Sequence, residues 1–530
     1  MALETGMDLS ILIPARNEMF LARTIEDILT HSEADTEVVV ILDGAWADPP
    51  IQDNDRVTLV YHPVSIGQRA AMNEAARLAR GRYVMKCDAH CAFDQGFDRI
   101  LLEDIAGHDD WTIVPLMKNL HAFDWVCQEC GNRRYQGKSG PCPKCGGEEQ
   151  REVIWKAKKS PNTTSMRFDP NLRFKYWGGY KKHQKGDLAE TMSLLGACWM
   201  LSKRRYFALN ICDEEHGSWG QQGTEVACKT WLSGGRLICD KRTWFAHMFR
   251  TQGDDFDHPF PLSSHQVNHA REHSKRLFLR GEWEGAIHSL WWLLNRFAPV
   301  QGWEEELTRG IVYYTDSQLD PAIALPVQTW IERAGLPITS VSLAPLDFGN
   351  NIVLAGERGV ESMFRQILAG LEACEADIVF LAEHDVLYHP SHWLFTPERD
   401  DTFYYNTNAW KVRAADGHAV WTDDLQQVSG LCAYRELLLR FYRKKLEQVE
   451  AGRFDRHFEP GPKCGNWQAS NWQSPFPNVD IRHGQNFTRT KWSPEEFRNP
   501  QYAVGWREAD IVPWWGQIQI AGASAPKEKR

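Results

Sequence analysis

Apolar and polar positions along the first hundred residues follow two periods. Short apolar-rich runs at 9–14, 38–42, 57–61 and 82–86 read as strands, while 20–29 and 68–80 space their apolar residues as amphipathic helices do. Strands that alternate with helices predict an α/β sheet with parallel strands. In open sheets of that kind ligands sit beyond the carboxyl ends of the strands, and there the chain carries Asp43-Gly44 and Cys87-Asp88-Ala89-His90.

Residues 121–150 interrupt the pattern with a Gly-, Cys- and Pro-rich stretch. The α/β texture returns over 192–249, and 263–298 read as mostly helical, with Leu277, Trp283, Ile287, Leu290, Trp291 and Leu294 on recurring faces. After Gln301-Gly302 the plan restarts. A strand at 311–314 ends at Thr315-Asp316, a helix covers 327–334, a strand 338–343, a helix 359–374, and a strand at 378–382 ends in Glu383-His384-Asp385. Both halves thus lead an apolar strand into an acidic, His-bearing turn. The expected organisation is two tandem Rossmann-like domains, 1–262 and 306–505, a helical connector at 263–305 and a tail at 506–530.

Composition narrows the class. Across 530 residues, 43% hydrophobic and 25% charged are globular values, which exclude wholesale disorder, collagen-like sequence and coiled coil. With 60 Lys+Arg against 70 Asp+Glu the net charge of -10 argues against a protein that coats nucleic acid, without speaking to a local basic face. The start of the chain shows no basic region before a short apolar run, and no apolar stretch approaches ~18 residues, so neither a signal peptide nor a membrane span is expected. Of 13 cysteines, most stand singly, which fits a reducing compartment and a cytoplasmic location.

The remaining four are grouped. Cys127-Gln-Glu-Cys130 and Cys142-Pro-Lys-Cys145, each followed by Gly, have the spacing of a Cys₄ zinc ribbon, a closed structural site for Zn²⁺. Directly after it, 151–185 hold Arg151, Lys156, Lys158, Lys159, Arg167, Arg173, Lys175, Lys181, Lys182 and Lys185 against Glu152 and Asp169 alone. Trp155, Phe168, Phe174, Tyr176, Trp177 and Tyr180 are interleaved, a pattern that suits phosphate contacts with base or sugar stacking. A solvated charged face that meets only a donor's phosphates is the alternative. Asp88-Ala89-His90 puts two ligating side chains on one side of an extended tripeptide, able to hold Mn²⁺ or Mg²⁺ against a diphosphate. A capping Asp beside a surface His is the plainer explanation of those three residues alone.

The run Leu9-Ser10-Ile11-Leu12-Ile13-Pro14-Ala15-Arg16-Asn17-Glu18, then Leu42-Asp43-Gly44, Gly67-Gln68-Arg69-Ala70-Ala71-Met72-Asn73 and Asp88-Ala89-His90, resembles the nucleotide-sugar half of the GT-A glycosyltransferases of the family 2 type. Trp219-Gly220-Gln221-Gln222-Gly223-Thr224-Glu225, with Trp231, Gly234-Gly235 and His247-Met248-Phe249-Arg250, is similar to the polypeptide N-acetylgalactosaminyltransferases. These motifs span residues 8–250. The resemblance implies a GT-A fold, a UDP-sugar donor and a divalent cation held by Asp88, His90 and His247. It implies donor contacts at Pro14, Arg16, Glu18, Asp43, Arg69, Asp88, Trp219 and Arg250. Gln221-Gln222 stands where that family has Gly-Glu, so one carboxylate is missing; Glu225, with Gln222, is the candidate catalytic residue on the acceptor side, and Glu225 is the only acid there.

The second half holds a weaker copy. Asp316, Glu383, Asp385 and His483 would be its donor and metal residues, with Ser429-Gly430-Leu431-Cys432-Ala433-Tyr434 echoing Leu195-Gly196-Ala197-Cys198-Trp199. Two working domains would imply two sequential sugar additions, and a degenerate copy kept for acceptor binding or assembly is the alternative. Trp291-Trp292 and Trp514-Trp515 read as packing residues. No Walker loop, dinucleotide fingerprint or Ser/His/Asp triad is legible. The zinc ribbon beside a basic aromatic segment favours a polyanionic acceptor, specifically DNA bearing 5-hydroxymethylpyrimidines, resembling phage DNA glucosylation. A cell-envelope glycan or a protein Ser/Thr hydroxyl is the rival acceptor, and a non-catalytic binding module the rival class.

Overall fold

A computed structural model describes residues 7–250, 256–303, 307–454, 457–484, 486 and 504–518. The chain divides into two units, Met1–Arg276 and Leu277–Arg530. This boundary falls inside the segment expected to connect two domains.

In the first unit, strands Leu9–Ala15, Thr36–Asp43, Val57–His62 and Tyr83–Cys87 pair in parallel, in the spatial order third, second, first, fourth. Leu9–Ala15 is buried along nearly its whole length, as expected of a strand covered on both faces by helices. Helices Leu21–His31 and Gln68–Leu78 supply that cover through Ile25 and Ile28, and through Met72 and Ala75. Past Cys87 the sheet is mixed, where parallel strands alone were expected: Cys198–Ser202 runs antiparallel to both Tyr83–Cys87 and Trp111–Cys127, and Arg236–His247 returns parallel to the latter. Trp111–Cys127 continues 17 residues and turns back as Glu149–Pro161, so the cysteine-rich insertion is the tip of a long antiparallel hairpin.

The second unit repeats this order. Asn350–Val353, Ile338–Ser342, Arg309–Thr315 and Ile378–Glu383 are parallel neighbours, followed by antiparallel Leu431–Tyr434 and then Thr402–Asn406, to which Gln468–Trp472 is parallel. Hence the α/β reading of both halves holds, in a form consistent with the GT-A class. Two expectations need correction. The stretch at 263–298 is two helices, Ser264–Phe278 and Leu290–Arg296, separated by a non-helical segment containing Gly281 and Gly285. Residues 506–518 are no tail, because Arg507–Ala509 pairs with Ala419–Trp421, Val512 is fully buried, and Trp515 donates to the Pro477 carbonyl at 2.7 Å. Residues 519–530 lie outside the described residues. Among the described residues no helix is long and apolar enough to cross a membrane.

One polar knot ties the amino ends of the first and second strands to the segment that leads into the fourth. Glu37 is buried, accepts from Ser10 Oγ at 2.6 Å and from the Arg80 backbone at 2.6 Å, and pairs with the Arg80 guanidinium. Gly81 donates to Ser10 Oγ at 2.8 Å and sits so close that a Cβ there would lie 2.6 Å from the Ser10 nitrogen. A backbone atom cannot step aside as a side-chain tip can. Gly81→Ala is therefore expected to destabilise the first unit by about 1–3 kcal/mol, read as a lower urea midpoint.

Candidate functional site

At the carboxyl ends of the first unit's strands lies a cavity of about 480 Å³, within the size of small-molecule sites. Its wall carries Pro14, Arg16, Glu18, Asp43, Asp88, His90, Trp219, Gln222, His247 and Arg250, so most of the residues singled out from sequence are brought together. Asp88 and His90 occupy the turn between Tyr83–Cys87 and Cys91–Phe93, and His247 ends the strand that pairs with Cys91–Phe93. Asp88 Oδ2 is 3.1 Å from His247 Nε2 and 3.9 Å from His90 Nε2.

The electrostatics suit a cation. Burial works to raise the Asp88 pKa, but Lys86, His247 and His90 outweigh it and hold the carboxyl well below the usual range. Burial pushes the His247 pKa down to about 4, leaving a neutral imidazole, the form that ligates metals. His90 turns its other nitrogen, Nδ1, to Glu18 Oε2 at 3.3 Å, as a supporting carboxylate orients a ligand histidine. His247 Nδ1 is buried without a hydrogen bond, and the three ligand atoms of Asp88, His90 and His247 lie within 4.8 Å of one another. Those donors fit a divalent ion. Lys86, which no sequence motif marked, is almost fully buried and donates to Asp88 Oδ1, so a built-in ammonium already neutralises one face of the carboxylate.

Other wall residues have their own duties. Asp43 accepts from Ser65 Oγ (2.7 Å), Ile66 N (2.6 Å) and Gly67 N (3.1 Å), so it shapes the loop before helix Gln68–Leu78. Glu18 pairs with Arg250, which also donates to the Asp257 carbonyl at 2.8 Å. Arg16 lies over the Phe260 ring. Arg173 and Phe174, from the basic aromatic segment, also line the cavity, as do His258, Gln266 and Arg271, which no motif marked.

Two assignments are corrected. Glu225 is 0% exposed and faces away from the cavity: Oε2 accepts from Arg69 Nε (3.1 Å) and Nη2 (3.0 Å), Oε1 from Asp213 N (2.8 Å) and Lys229 Nζ (2.8 Å). Burial would raise its pKa, yet Lys229, His216 and Arg69 keep it low, so it is a structural carboxylate and not a base at an acceptor hydroxyl. Arg69, expected at the donor, spends its remaining donors on the Gly217 (3.2 Å) and Gly220 (2.6 Å) carbonyls, holding the loop that carries Trp219. Gln222 does reach the cavity, where its Oε1 accepts from Gln68 at 3.3 Å, but a neutral amide binds hydrogen-bond partners and cannot take a proton.

In the second unit Asp316, Glu383 and Asp385 line a cavity of about 190 Å³, and His483 lies 3.3 Å from Asp385. The expected metal site is not assembled there. Burial and the neighbouring Asp385 push Glu383 up to about 8, so it is protonated at neutral pH and bonded to Tyr314 at 2.5 Å. Asp316 is paired with Arg358 at 2.7 Å, and Asp480 with buried Lys411 at 2.8 Å. Among the described residues these side chains form no three-ligand cluster.

The four grouped cysteines do converge. Cys127 and Cys145 sulfurs are 3.5 Å apart, Cys130 and Cys142 3.7 Å, near the edge of about 3.8 Å that four thiolates around zinc require. Each half turns alike: Gly131 donates to Cys127 and Gly146 to Cys142, both glycines at positive φ. The basic segment after them splits. Trp155 and Phe168 are core residues, Trp155 donating to Asp27 at 3.0 Å, whereas Trp177 stacks on Tyr180 with ring centroids 4.3 Å apart on the Gly178–His183 turn beside exposed Lys181 and Lys182.

Two outcomes follow from these charges. Glu225→Gln leaves Arg69 and Lys229 buried without their counter-charge and is expected to cost about 3–5 kcal/mol, measured by urea denaturation. Glu383, with a folded-state pKa near 8 above its ordinary value of 4.5, contributes stability that is complete below about 4.5 and is lost as pH rises through 8. Glu383→Gln should therefore flatten the fall in melting temperature between pH 5 and pH 9.

Residues 10–119 match the Glycosyl transferase family 2. The chain is 24% identical over 326 residues to a putative polypeptide N-acetylgalactosaminyltransferase 13 of Drosophila melanogaster, covering 57% of this chain and 53% of that protein. It is 25% identical over 274 residues to polypeptide N-acetylgalactosaminyltransferase 12 of Mus musculus, covering 49% and 42%. The chain thus spans about half, or less, of the length of the curated relatives it matches. A crystal structure of GalNAc-T7 with UDP, GalNAc and Mn²⁺ aligns over 53% of this chain and 51% of its own at 17% identity, with a TM-score of 0.38. Over residues 10–119, then, the chain carries a glycosyltransferase domain of family 2, and it is homologous to the polypeptide N-acetylgalactosaminyltransferases.

Proposed function

We propose that the first unit is a divalent-cation-dependent glycosyltransferase that binds a UDP-sugar in the large cavity and transfers the sugar to a hydroxyl on a polyanionic acceptor. The observation that carries this reading is the charge of the cavity wall. Five cationic side chains (Arg16, Lys86, Arg173, Arg250, Arg271) stand against three acidic ones (Glu18, Asp43, Asp88), with Asp88, His90 and His247 converging among them. A wall of that balance attracts a diphosphate. An ion held by the three ligands would supply Lewis-acid stabilisation of a diphosphate leaving group. Glu18 orients His90, Asp43 shapes the loop at the donor end, and Arg69 with Glu225 holds the Trp219 loop in place.

The acceptor reading rests on where the basic segment leads. Arg173 and Phe174 line the cavity, and the exposed lysines 175, 181, 182 and 185 follow within a few residues. Phosphate contacts beside a stacked Trp177–Tyr180 pair favour DNA carrying 5-hydroxymethylpyrimidines over a neutral glycan. The names of the relatives point instead to a protein hydroxyl, which the test below keeps in view. The four thiolates would hold a structural Zn²⁺ at the hairpin tip. The second unit, with its carboxylates already partnered or protonated, is read as non-catalytic, so one sugar is added per site.

Mass spectrometry of DNA incubated with the protein, Mn²⁺ and a panel of UDP-sugars tests this. One hexose or N-acetylhexosamine gained per hydroxymethyl base, and none on unmodified DNA, is the expected product. Asp88→Asn should lower the rate at least ~10²-fold, in line with the loss of a group acting on transition-state charge. Neutralising Lys158, Lys159, Lys181 and Lys182 should flatten the salt dependence of DNA affinity by about 0.9 log unit per lost phosphate contact. UDP release without any gain on DNA transfers the acceptor to protein or glycan hydroxyls, and no UDP release with any donor overturns the enzyme reading.

A further inference from the structure

Among the described residues, one more group of ligating side chains converges in the first unit, apart from the cavity and the thiol cluster. Asp213 caps and His216 ends the short turn Glu214–His216, and His273 comes from helix Ser264–Phe278. Asp213 Oδ2 lies 2.9 Å from His273 Nε2 and 3.6 Å from His216 Nδ1, and the three ligand atoms are within 4.8 Å of one another. A further carboxylate oxygen, Glu225 Oε1, lies 3.7 Å from His216 Nδ1.

His216 shows that hydrogen bonding alone does not account for the cluster. Its side chain is 0% exposed and its Nε2 meets Ser274 Oγ at 3.0 Å, which fixes the ring, yet Nδ1 is buried without a hydrogen-bond partner. An Asp213–His273 hydrogen bond explains the 2.9 Å contact and leaves that nitrogen stranded at the full cost of its desolvation. In the tautomer whose Nε2 donates to Ser274, Nδ1 turns its lone pair toward Asp213 Oδ2, the oxygen shared with His273, an arrangement that a cation between them would stabilise.

We propose that Asp213, His216 and His273 form a second metal site, for a divalent transition ion of the zinc class. Two imidazoles and a carboxylate suit Zn²⁺, Co²⁺ or Ni²⁺ better than Mg²⁺ or Ca²⁺, which prefer oxygen ligands. Donor separations of 2.9 and 3.6 Å bracket the edge of about 3.3 Å expected between ligands on a tetrahedral zinc. The burial of the histidines makes the site structural. Its role is to staple helix Ser264–Phe278, which presents Gln266 and Arg271 to the cavity, onto the segment that leads into the Gly217–Gly220 loop. The site stands whatever sugar or acceptor the cavity takes.

The test counts zinc in the full-length chain carrying Asp88→Asn, which removes the cavity's own site. After loading with zinc chloride and desalting, elemental mass spectrometry should find one zinc fewer per chain in the added His273→Gln variant, with the zinc held by the cysteines retained. Unchanged zinc content on His273→Gln overturns the proposal. A second measurement does not depend on that variant folding. Cobalt loaded into the Asp88→Asn, Cys130→Ser, Cys142→Ser protein should give visible d–d absorption without a thiolate charge-transfer band, and this signal should disappear on addition of His216→Gln. Absence of cobalt absorption in the parent of that pair overturns the site independently.

Discussion

The buried carboxylate of Glu225 is the point on which one wall of the first unit's cavity hangs. It has no exposure to solvent, and four hydrogen bonds fix it to two cations and a backbone amide. Arg69, oriented by that carboxylate, reaches past it to the carbonyls of Gly217 and Gly220 and so defines the loop from which Trp219 enters the cavity. Charges this deep are tolerated only when each is matched, because the interior offers no water to replace a lost partner. The same interaction thus joins helices Gln68–Leu78 and Gln222–Leu232 and sets one wall of the site.

Comparison of the two units separates topology from chemistry. Seven strands recur in the same order and the same directions, and each unit places an acidic, His-bearing turn at the end of its fourth strand. In the first, Asp88 stays ionised beside two histidines that converge on it. In the second, burial and a neighbouring carboxylate protonate Glu383, while Asp316 and Asp480 are occupied by Arg358 and Lys411. A repeated fold therefore does not carry a repeated site. The difference lies in which cations the surrounding strands bring to the carboxylates.

The hairpin that interrupts the first unit's sheet serves as a platform. Its tip draws four sulfurs together through two turns of the same construction, and the chain that leaves it supplies both core aromatics and an exposed cationic edge. Trp155 and Phe168 belong to the interior, whereas Lys158, Lys159, Lys181 and Lys182 face solvent. Composition alone had merged these two populations. Arg173 and Phe174, from the same segment, tie that edge to the cavity wall.

By itself the sequence determined what is local. Strand and helix order over 9–87, the Asp88-Ala89-His90 turn and the paired Cys-x-x-Cys-Gly knuckles were legible, because hydrophobic period, turn chemistry and ligand spacing are encoded within a few residues. The convergence of His247 on Asp88 was reachable only through family resemblance, since 159 residues separate them. Tertiary structure decided the rest. It turned Glu225 away from the cavity, put Lys86 against Asp88, protonated Glu383, folded residues 506–518 into a sheet and brought His273 to Asp213 and His216. Each of these is a matter of burial and of charges distant in the chain, and desolvation together with long-range pairing exists only once the strands are packed.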